Sequence, residues 1–295
     1  MRIGLIRCLC GSAVVAAAPA VAHGSASPRD ASAVAPYQGL AAWIDIYDAG
    51  PWARPAETVN ALARRGVSTV FVQTSNYHRP TAVHRPAALA RIVRTAHRRD
   101  MRVIGWYLPG FANVRRDWRR VKAAVSYEAE SGHRLDGFAL DIEATAVPDV
   151  ATRNRRMLRL SSRLRRLAGE RYPLGAIIPD PVTQRYWPRF PYEQVRAWYD
   201  VLLPMAYWTP HRRGAAQVSR YTRDALRLIR ARTGDRSVPV HVIGGIAGDA
   251  SAAEVGGFAR AAVAFGAAGA SLYDAPITSA AQWRRLSRIA GLKPN

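Results

Sequence analysis

Short apolar runs alternate along the chain with longer segments in which apolar residues recur at helical spacing. The short runs predict eight β-strands, and the longer segments predict amphipathic helices between them. The predicted strands are Leu40–Ile46, Thr69–Thr74, Val103–Leu108, Phe138–Ile142, Leu174–Ile178, Val201–Met205, Val238–Ile243 and Ala268–Tyr273. The predicted helices are Ala56–Arg65, Pro86–Arg99, Arg116–Glu130, Ala151–Ala168, Tyr192–Trp198, Ala215–Arg232, Ala252–Phe265 and Ser279–Ala290.

Eight strand–helix units in about 250 residues are typical of a single (β/α)8 TIM barrel, an α/β fold. A doubly wound open sheet is the alternative, but it usually needs fewer strands. The first predicted strand is also not followed by the G-x-G-x-x-G sequence of many doubly wound folds. No linker-like segment interrupts the alternation, so we predict one barrel domain over residues 39–295.

The first 38 residues do not follow the barrel pattern. Arg2 and Arg7 accompany an apolar run that ends at the cleavage-type sequence Ala20-Val21-Ala22. These features predict a signal peptide over residues 1–22 and a secreted, extracellular protein. The run is shorter than the roughly 20 residues of a spanning helix, so we expect no stable membrane insertion. Residues 23–38 are rich in Ala, Ser and Pro and predict a disordered leader.

The chain carries 43 Lys and Arg residues against 21 Asp and Glu residues, a formal net charge of +22. Arginines are spread over the predicted helices, a pattern typical of a solvated outer surface. On the fourth helix they cover more than one face and are Arg153, Arg155, Arg156, Arg159, Arg163, Arg165 and Arg166. We therefore expect adsorption to anionic envelope polymers and no nucleic-acid binding. Both cysteines, Cys8 and Cys10, fall within the predicted signal peptide, so disulfides are not expected.

The histidines show no H-E-x-x-H or paired spacing, and no G-x-S-x-G sequence occurs. We accordingly expect no metal, no cofactor and no serine-hydrolase chemistry in a monomeric protein. Carboxylate and aromatic residues instead gather at the carboxyl ends of the predicted strands, where TIM barrels carry their active sites. Aromatic rings there suit the flat C–H faces of sugars. The predicted substrate-binding residues are Trp43, Asp45, Gln73, Trp106, Tyr107, Asp180, Met205, Trp208 and Tyr273.

The fourth predicted strand carries two carboxylates in a pattern that favours catalysis. Because strand side chains alternate, Leu140 and Ile142 should face the outer helices while Asp141 and Glu143 face the barrel interior. Burial and mutual repulsion should raise the pKa of at least one of these carboxylates. Such an acid can protonate a glycosidic oxygen near neutral pH. An ion pair with an interior arginine, or solvation at the strand end, is the alternative.

The segment Asp136-Gly137-Phe138-Ala139-Leu140-Asp141-Ile142-Glu143 resembles the D-G-x-D-x-D-x-E signature of glycoside hydrolase family 18. Met205-Ala206-Tyr207 is similar to that family's sixth-strand M-x-Y motif. The resemblance implies that Glu143 is the general acid, that Asp141 orients a substrate N-acetyl group and that Tyr207 hydrogen-bonds it. It does not extend to Ala139 and Trp208, which stand where that family has aspartates.

Two further resemblances point to the same class of enzyme. Leu140-Asp141-Ile142-Glu143, together with Asp45, resembles the carboxylate set of glycoside hydrolase family 25 lysozymes. The segments Gly105-Trp106-Tyr107-Leu108-Pro109-Gly110-Phe111 and Leu203-Pro204-Met205-Ala206-Tyr207-Trp208 resemble secreted actinobacterial proteins described as glycoside hydrolases.

The sequence thus predicts a secreted glycosidase that acts on a polysaccharide or peptidoglycan-like glycan. Asp45 or Asp180 is the candidate for a further carboxylate, as base or nucleophile. One alternative is a non-catalytic carbohydrate-binding barrel, which Ala139 favours. The other is a barrel enzyme for phosphate ligands that uses the turn Gly244–Gly248.

Overall fold

Eight parallel strands form the wall of a barrel in the computed structural model, which describes residues 31–292. The strands are β1 (Gly39–Ile44), β2 (Thr69–Asn76), β3 (Arg102–Leu108), β4 (Gly137–Asp141), β5 (Leu174–Ile178), β6 (Val201–Pro204), β7 (His241–Ile246) and β8 (Gly269–Tyr273). Each strand pairs with its neighbour from β1 to β6, and β8 pairs with both β1 and β7. Bridges from Leu202 to Val240 and from Met205 to Ile243 join the two ends of this sheet. The predicted (β/α)8 fold is confirmed.

Helices surround the strands, and every strand is followed by at least one. They are α1 (Ala31–Val34), α2 (Ala49–Ala53), α3 (Pro55–Ala63), α4 (Pro86–His97), α5 (Val114–Val125), α6 (Val150–Ala168), α7 (Tyr192–Arg196), α8 (Ala215–Thr233), α9 (Ala252–Ala264) and α10 (Ala280–Leu286). Short 3₁₀ helices span Ala35–Tyr37, Ala247–Asp249 and Ser287–Ile289. Among residues 31–292, no helix has the length and apolar character that crossing a membrane requires.

Element boundaries differ most from the sequence prediction at α5 and β7. Helix α5 ends at Val125 because the chain then reverses, with a bridge between Glu128 and Arg134. Strand β7 begins at His241 because Pro239 has no N–H to donate to a ladder.

Two apolar layers enclose the strands. The inner layer fills the barrel lumen and includes Trp43, Phe71 and Ala139, with the Trp43 and Phe71 rings stacked at a centroid distance of 4.3 Å. The outer layer lies between strands and helices and includes Leu140 and Ile142. Side chains of the β4 segment therefore alternate between the two layers as the sequence predicted, which directs Asp141 inward.

Residues 31–38 close the amino-terminal end of the barrel, so the predicted disordered leader is wrong for this stretch. The Tyr37 side chain is fully buried in the lumen layer, and its hydroxyl donates to the Phe138 carbonyl at 2.8 Å. Gly175 leaves the space for this ring, because a Cβ there would lie 2.7 Å from Tyr37 Cε1. The Ala-, Ser- and Pro-rich composition predicts a loop, but burial of the apolar Val34 and Tyr37 side chains orders this stretch. The predicted signal peptide and residues 23–30 lie outside the described residues.

Candidate active site

A cavity of about 230 Å³ opens at the carboxyl ends of the strands. Every strand, or the loop directly after it, contributes to its lining. The lining residues are Trp43, Asp45, Tyr47, Gln73, Asn76, His78, Trp106, Leu108, Asp141, Glu143, Ile177, Met205, Tyr207, Ile243 and Tyr273. The volume is below the roughly 300–1,000 Å³ of pockets that enclose drug-sized ligands. A polymer would therefore place only a small part of itself inside this cavity.

Asp141 and Glu143 enter the cavity from the end of β4. Asp141 is only 5% exposed, and its Oδ1 atom has no hydrogen-bond partner among the described residues. Burial, with the nearby Glu143 charge, raises the pKa of Asp141 well above its usual value. Burial also raises the pKa of the half-buried Glu143. No ion pair within residues 31–292 involves either carboxylate, so the pair retains a proton to higher pH than ordinary carboxyl groups do.

Polar groups beside this pair offer both donors and acceptors to a ligand. The Trp106 indole Nε1–H is buried without a partner among the described residues, as is Asp141 Oδ1. The Tyr207 ring centre lies 6.3 Å from that of Tyr273. Burial and the charges of Glu143 and Asp141 raise the pKa of the Tyr207 hydroxyl, which remains a donor at neutral pH. Because buried polar groups without partners are costly, the Trp106 and Asp141 atoms indicate a binding site.

Hydrogen bonds fix the opposite side of the cavity, at β1 and β8. The Tyr273 hydroxyl donates to Asp45 Oδ2 at 2.8 Å, and the Tyr47 N–H donates to Asp45 Oδ1 at 2.6 Å. Gln73 accepts from the Ile46 N–H at 3.1 Å and so orients the loop after β1. Trp43 Nε1 donates to Ser271 Oγ at 2.8 Å, which holds this indole in the cavity wall. Asp45 is therefore presented in a defined orientation.

Three aspartates are the only set of candidate metal ligands that converges within residues 31–292. One carboxylate oxygen from each of Asp45, Asp48 and Asp274 lies within 4.8 Å of the others. Burial, followed by the charges of Asp274 and Asp45, raises the pKa of Asp48 to about 7. Burial and the Asp45 charge raise the pKa of Asp274 to about 6. The cluster touches the cavity through Asp45.

Three predicted substrate-binding residues lie outside the cavity. Tyr107 is fully buried, and its hydroxyl donates to Asp117 Oδ1 at 2.6 Å. Trp208 is also fully buried and packs on Phe258 at a centroid distance of 4.9 Å. Tyr107 directly follows the cavity-lining Trp106 within β3, where strand alternation turns it outward. Trp208 follows Tyr207 beyond the end of β6 and packs in the outer apolar layer. Tyr107 and Trp208 therefore do not line the cavity, contrary to the prediction from sequence.

Asp180 is the third predicted substrate-binding residue that lies outside the cavity. Its carboxylate accepts hydrogen bonds from the Val182 N–H at 2.9 Å, from the Thr183 N–H at 3.2 Å and from the Tyr221 hydroxyl. This aspartate therefore stabilises the turn after β5 and does not line the cavity.

The structure adds six lining residues to those predicted: Tyr47, Asn76, His78, Leu108, Ile177 and Ile243. Tyr47 and His78 lie in loops beyond the strand ends, where strand periodicity gives no signal. Asn76 Nδ2 donates to the Tyr47 hydroxyl at 3.1 Å, which connects two of these additions. Ile177 and Ile243 could have been found by strand alternation, since both point into the lumen.

The helix N-terminus that follows the turn Gly244–Gly248 is capped by the protein's own groups. Ser251 and Glu254 form a capping box at the start of α9, with Glu254 accepting from the Ser251 N–H at 2.8 Å. A carboxylate thus already fills the position that a phosphate would take at this helix N-terminus. The phosphate-ligand alternative therefore lacks an open site at this turn.

No protein-family model and no curated protein matches the chain. Among solved structures, it is similar to the endo-1,4-β-mannanase from Rhizomucor miehei, with a TM-score of 0.63 and 10% identity over 82% of this chain and 87% of that one. It is also similar to a family GH18 chitinase from Cycas revoluta, with a TM-score of 0.63 and 13% identity over 86% of this chain and 100% of that one. The endo-β-1,4-mannanase from Thermotoga petrophila gives a TM-score of 0.63 and 9% identity, over 86% of this chain and 76% of that one. The chain thus shares the TIM-barrel fold of glycoside hydrolases.

Proposed function

We propose that the protein is a glycoside hydrolase in which Glu143 is the general acid. The observation that carries this proposal is the pair of inward-facing carboxylates, Asp141 and Glu143, at the end of β4 in the cavity wall. Burial raises the pKa of Glu143, so its carboxyl group can hold the proton that a leaving glycosidic oxygen requires. Glycosidases of known structure that share this fold support the assignment.

We expect Asp141, which lies beside Glu143, to bind and orient the substrate. Its unpartnered Oδ1 accepts a hydrogen bond from the substrate, while Trp106 Nε1 and the Tyr207 hydroxyl donate to substrate oxygens. An N-acetyl group offers one donor and one acceptor and matches this set, in agreement with the resemblance to glycoside hydrolase family 18. The expected substrate is a polysaccharide or cell-wall glycan.

Asp45 is the better candidate for a further carboxylate. It lines the cavity and is oriented by Tyr273 and Tyr47, whereas Asp180 is engaged in its own turn. As a nucleophile Asp45 would give retention of the anomeric configuration, and as a base it would give inversion. Analysis of the first-formed product anomer distinguishes the two roles.

The test compares wild type with Glu143→Gln on a panel of chitin, peptidoglycan and mannan substrates. The variant should lose about 10²- to 10⁴-fold in hydrolysis while it retains sugar binding, because the amide cannot donate an acidic proton. Glu130→Gln is the matched control, since Glu130 is exposed and does not line the cavity. Equal activity of Glu143→Gln and wild type would exclude this carboxylate as the acid.

A non-catalytic carbohydrate-binding barrel is the second candidate. Ala139 favours it, because this fully buried alanine occupies the inward β4 position where the family 18 signature has an aspartate. Saturable binding of oligosaccharides by wild type with no turnover on the whole panel would support this alternative over the first.

We also propose secretion and adsorption to anionic envelope polymers. Arg155, Arg159 and Arg163 are exposed along one stripe of α6. Arg153 and Arg165 are instead buried, where Arg153 stacks on Trp187 and Arg165 pairs with Asp200 at 2.8 Å, so these two arginines are not available to a polymer. Salt should weaken adsorption to isolated cell walls much more than it changes turnover of a neutral oligosaccharide.

A further inference from the structure

Three aspartates meet where the loops after β1 and β8 approach each other. Asp45 and Asp48 follow β1, and Asp274 follows β8, with one carboxylate oxygen of each within 4.8 Å of the others. Asp45 and Asp274 are buried, and Asp48 is half-buried. These side chains thus bring up to three negative charges into a partly dry volume beside the cavity.

Among residues 31–292, no basic side chain pairs with the carboxylates of Asp45, Asp48 and Asp274, although the whole chain has 43 basic residues. Repulsion among buried carboxylates is costly unless a positive charge compensates for it.

A separate observation concerns a single atom of Asp274. This residue is only 7% exposed, and its Oδ1 atom is fully buried without a hydrogen-bond partner among the described residues. Asp45 accepts hydrogen bonds from Tyr47 and Tyr273, and Asp48 Oδ2 accepts from the Asp45 N–H at 2.8 Å. The Asp274 carboxylate is hydrogen-bonded to the backbone of Ile277, which leaves Oδ1 as its atom without a partner. Because a buried carboxylate oxygen without a partner is rare, this atom indicates a ligand beside Asp274.

We propose that Asp45, Asp48 and Asp274 bind one hard divalent cation, for which Ca²⁺ is the best match. All three ligands are carboxylate oxygens, which Ca²⁺ and Mg²⁺ prefer, whereas Zn²⁺ sites are built mainly from nitrogen and sulfur. Ca²⁺–oxygen distances of about 2.3–2.6 Å span ligand pairs up to roughly 5 Å apart, while Mg²⁺ at about 2.0–2.1 Å spans only about 4.2 Å. The three oxygens lie within 4.8 Å of one another, which is compatible with one Ca²⁺ ion. Mg²⁺ keeps several of its waters and is rarely held by protein carboxylates alone, which favours Ca²⁺ here.

The cation ties the loop after β1 to the loop after β8. Asp45 also lines the cavity, so the bound ion fixes one wall of the proposed active site, and Asp45 can act as base or nucleophile only in the cation-free protein. The cation site does not depend on the proposed glycosidase activity, because binding is measured without any substrate.

The experiment uses the purified full chain after treatment with a chelator. Tb³⁺, a luminescent substitute for Ca²⁺, should show emission sensitised by nearby aromatic rings, since Trp52 Nε1 donates to the Asp45 carbonyl at 2.6 Å and Tyr273 contacts the Asp45 carboxylate. Ca²⁺ should displace Tb³⁺ with one-to-one stoichiometry, and Mg²⁺ should do so at higher concentration. Calorimetric titration with CaCl₂ gives the affinity directly.

Asp48→Asn and Asp274→Asn should each weaken Ca²⁺ binding by at least about tenfold. Asp100→Asn is the matched control, because Asp100 is exposed and its positive φ of 56° suits asparagine. Circular dichroism of each variant confirms that it is folded. Absence of Ca²⁺ and Tb³⁺ binding by wild type, or equal affinity in folded Asp274→Asn, would overturn the proposal and would leave the role of Glu143 unaffected.

Discussion

His241 should make the stability of the barrel depend on pH below neutrality. This histidine is fully buried at the start of β7, where its Nδ1 lies 2.7 Å from the Tyr37 carbonyl and its Nε2 lies 2.9 Å from Ser271 Oγ. A carbonyl only accepts, so Nδ1 carries the proton and Nε2 accepts from Ser271. Trp43 Nε1 in turn donates to Ser271 Oγ, and the neutral histidine thereby supports the cavity wall.

Burial lowers the pKa of His241 from 6.5 to about 4, against a smaller opposite effect of its hydrogen bond to Tyr37. Between these values the unfolded chain binds a proton that the folded protein does not, so stability is lost as pH falls. At about 1.4 kcal/mol for each factor of ten in proton affinity, the loss reaches about 3 kcal/mol near pH 4.

The variant His241→Asn removes this titration, and its amide can still donate to the Tyr37 carbonyl. Urea denaturation of both proteins from about pH 7.5 to about pH 4 should show wild type losing about 3 kcal/mol more than the variant. Other titrating groups are common to both proteins and cancel in the difference. Parallel stability curves for the two proteins would refute the reasoning.

Two further perturbations test the barrel end and the β4 carboxylates. Tyr37→Phe should lower the free energy of unfolding by about 1–3 kcal/mol in urea denaturation, because the buried Phe138 carbonyl loses its hydroxyl donor. No loss of stability would contradict the proposed closure by Tyr37. Asp141→Asn should become more stable relative to wild type as pH rises above about 4, because a raised pKa makes folded wild type hold a proton that its unfolded chain releases. A pH-independent difference between the two proteins would contradict the buried state of Asp141.

Alternating apolar and polar positions were sufficient to predict the barrel and the inward direction of Asp141. Aromatic residue type predicts that both members of the pairs Trp106-Tyr107 and Tyr207-Trp208 line the binding rim. Only the first member of each pair lines the cavity. Strand alternation within β3 accounts for Tyr107, whereas Trp208 lies beyond the end of β6, where strand period gives no signal.

Contacts between distant parts of the chain could not be predicted in this way. Asp48 and Asp274 approach each other only because β1 pairs with β8 and brings the two loops together. The closure by Tyr37 likewise depends on Gly175, which leaves space for its ring. Arg153 is buried because Trp187 lies under its guanidinium, a contact that helical spacing alone does not indicate. Each of these features depends on the closed barrel and not on local pattern.

The outer helices of the barrel carry exposed positive charge, whereas the cavity carries carboxylates. This difference limits which ligands the cavity can bind. Exposed arginines such as Arg159 lie on the outer helices, whereas the cavity side holds Asp45, Asp141 and Glu143 without an arginine partner among the described residues. An anionic sugar unit in the cavity would add a further negative charge beside carboxylates whose pKa values burial already raises. Under the proposed function, the unit bound at Glu143 should therefore be uncharged, and anionic polymers should bind the outer surface. Adsorption and hydrolysis then depend on different groups, so arginine substitutions on α6 should change the first and leave the second intact.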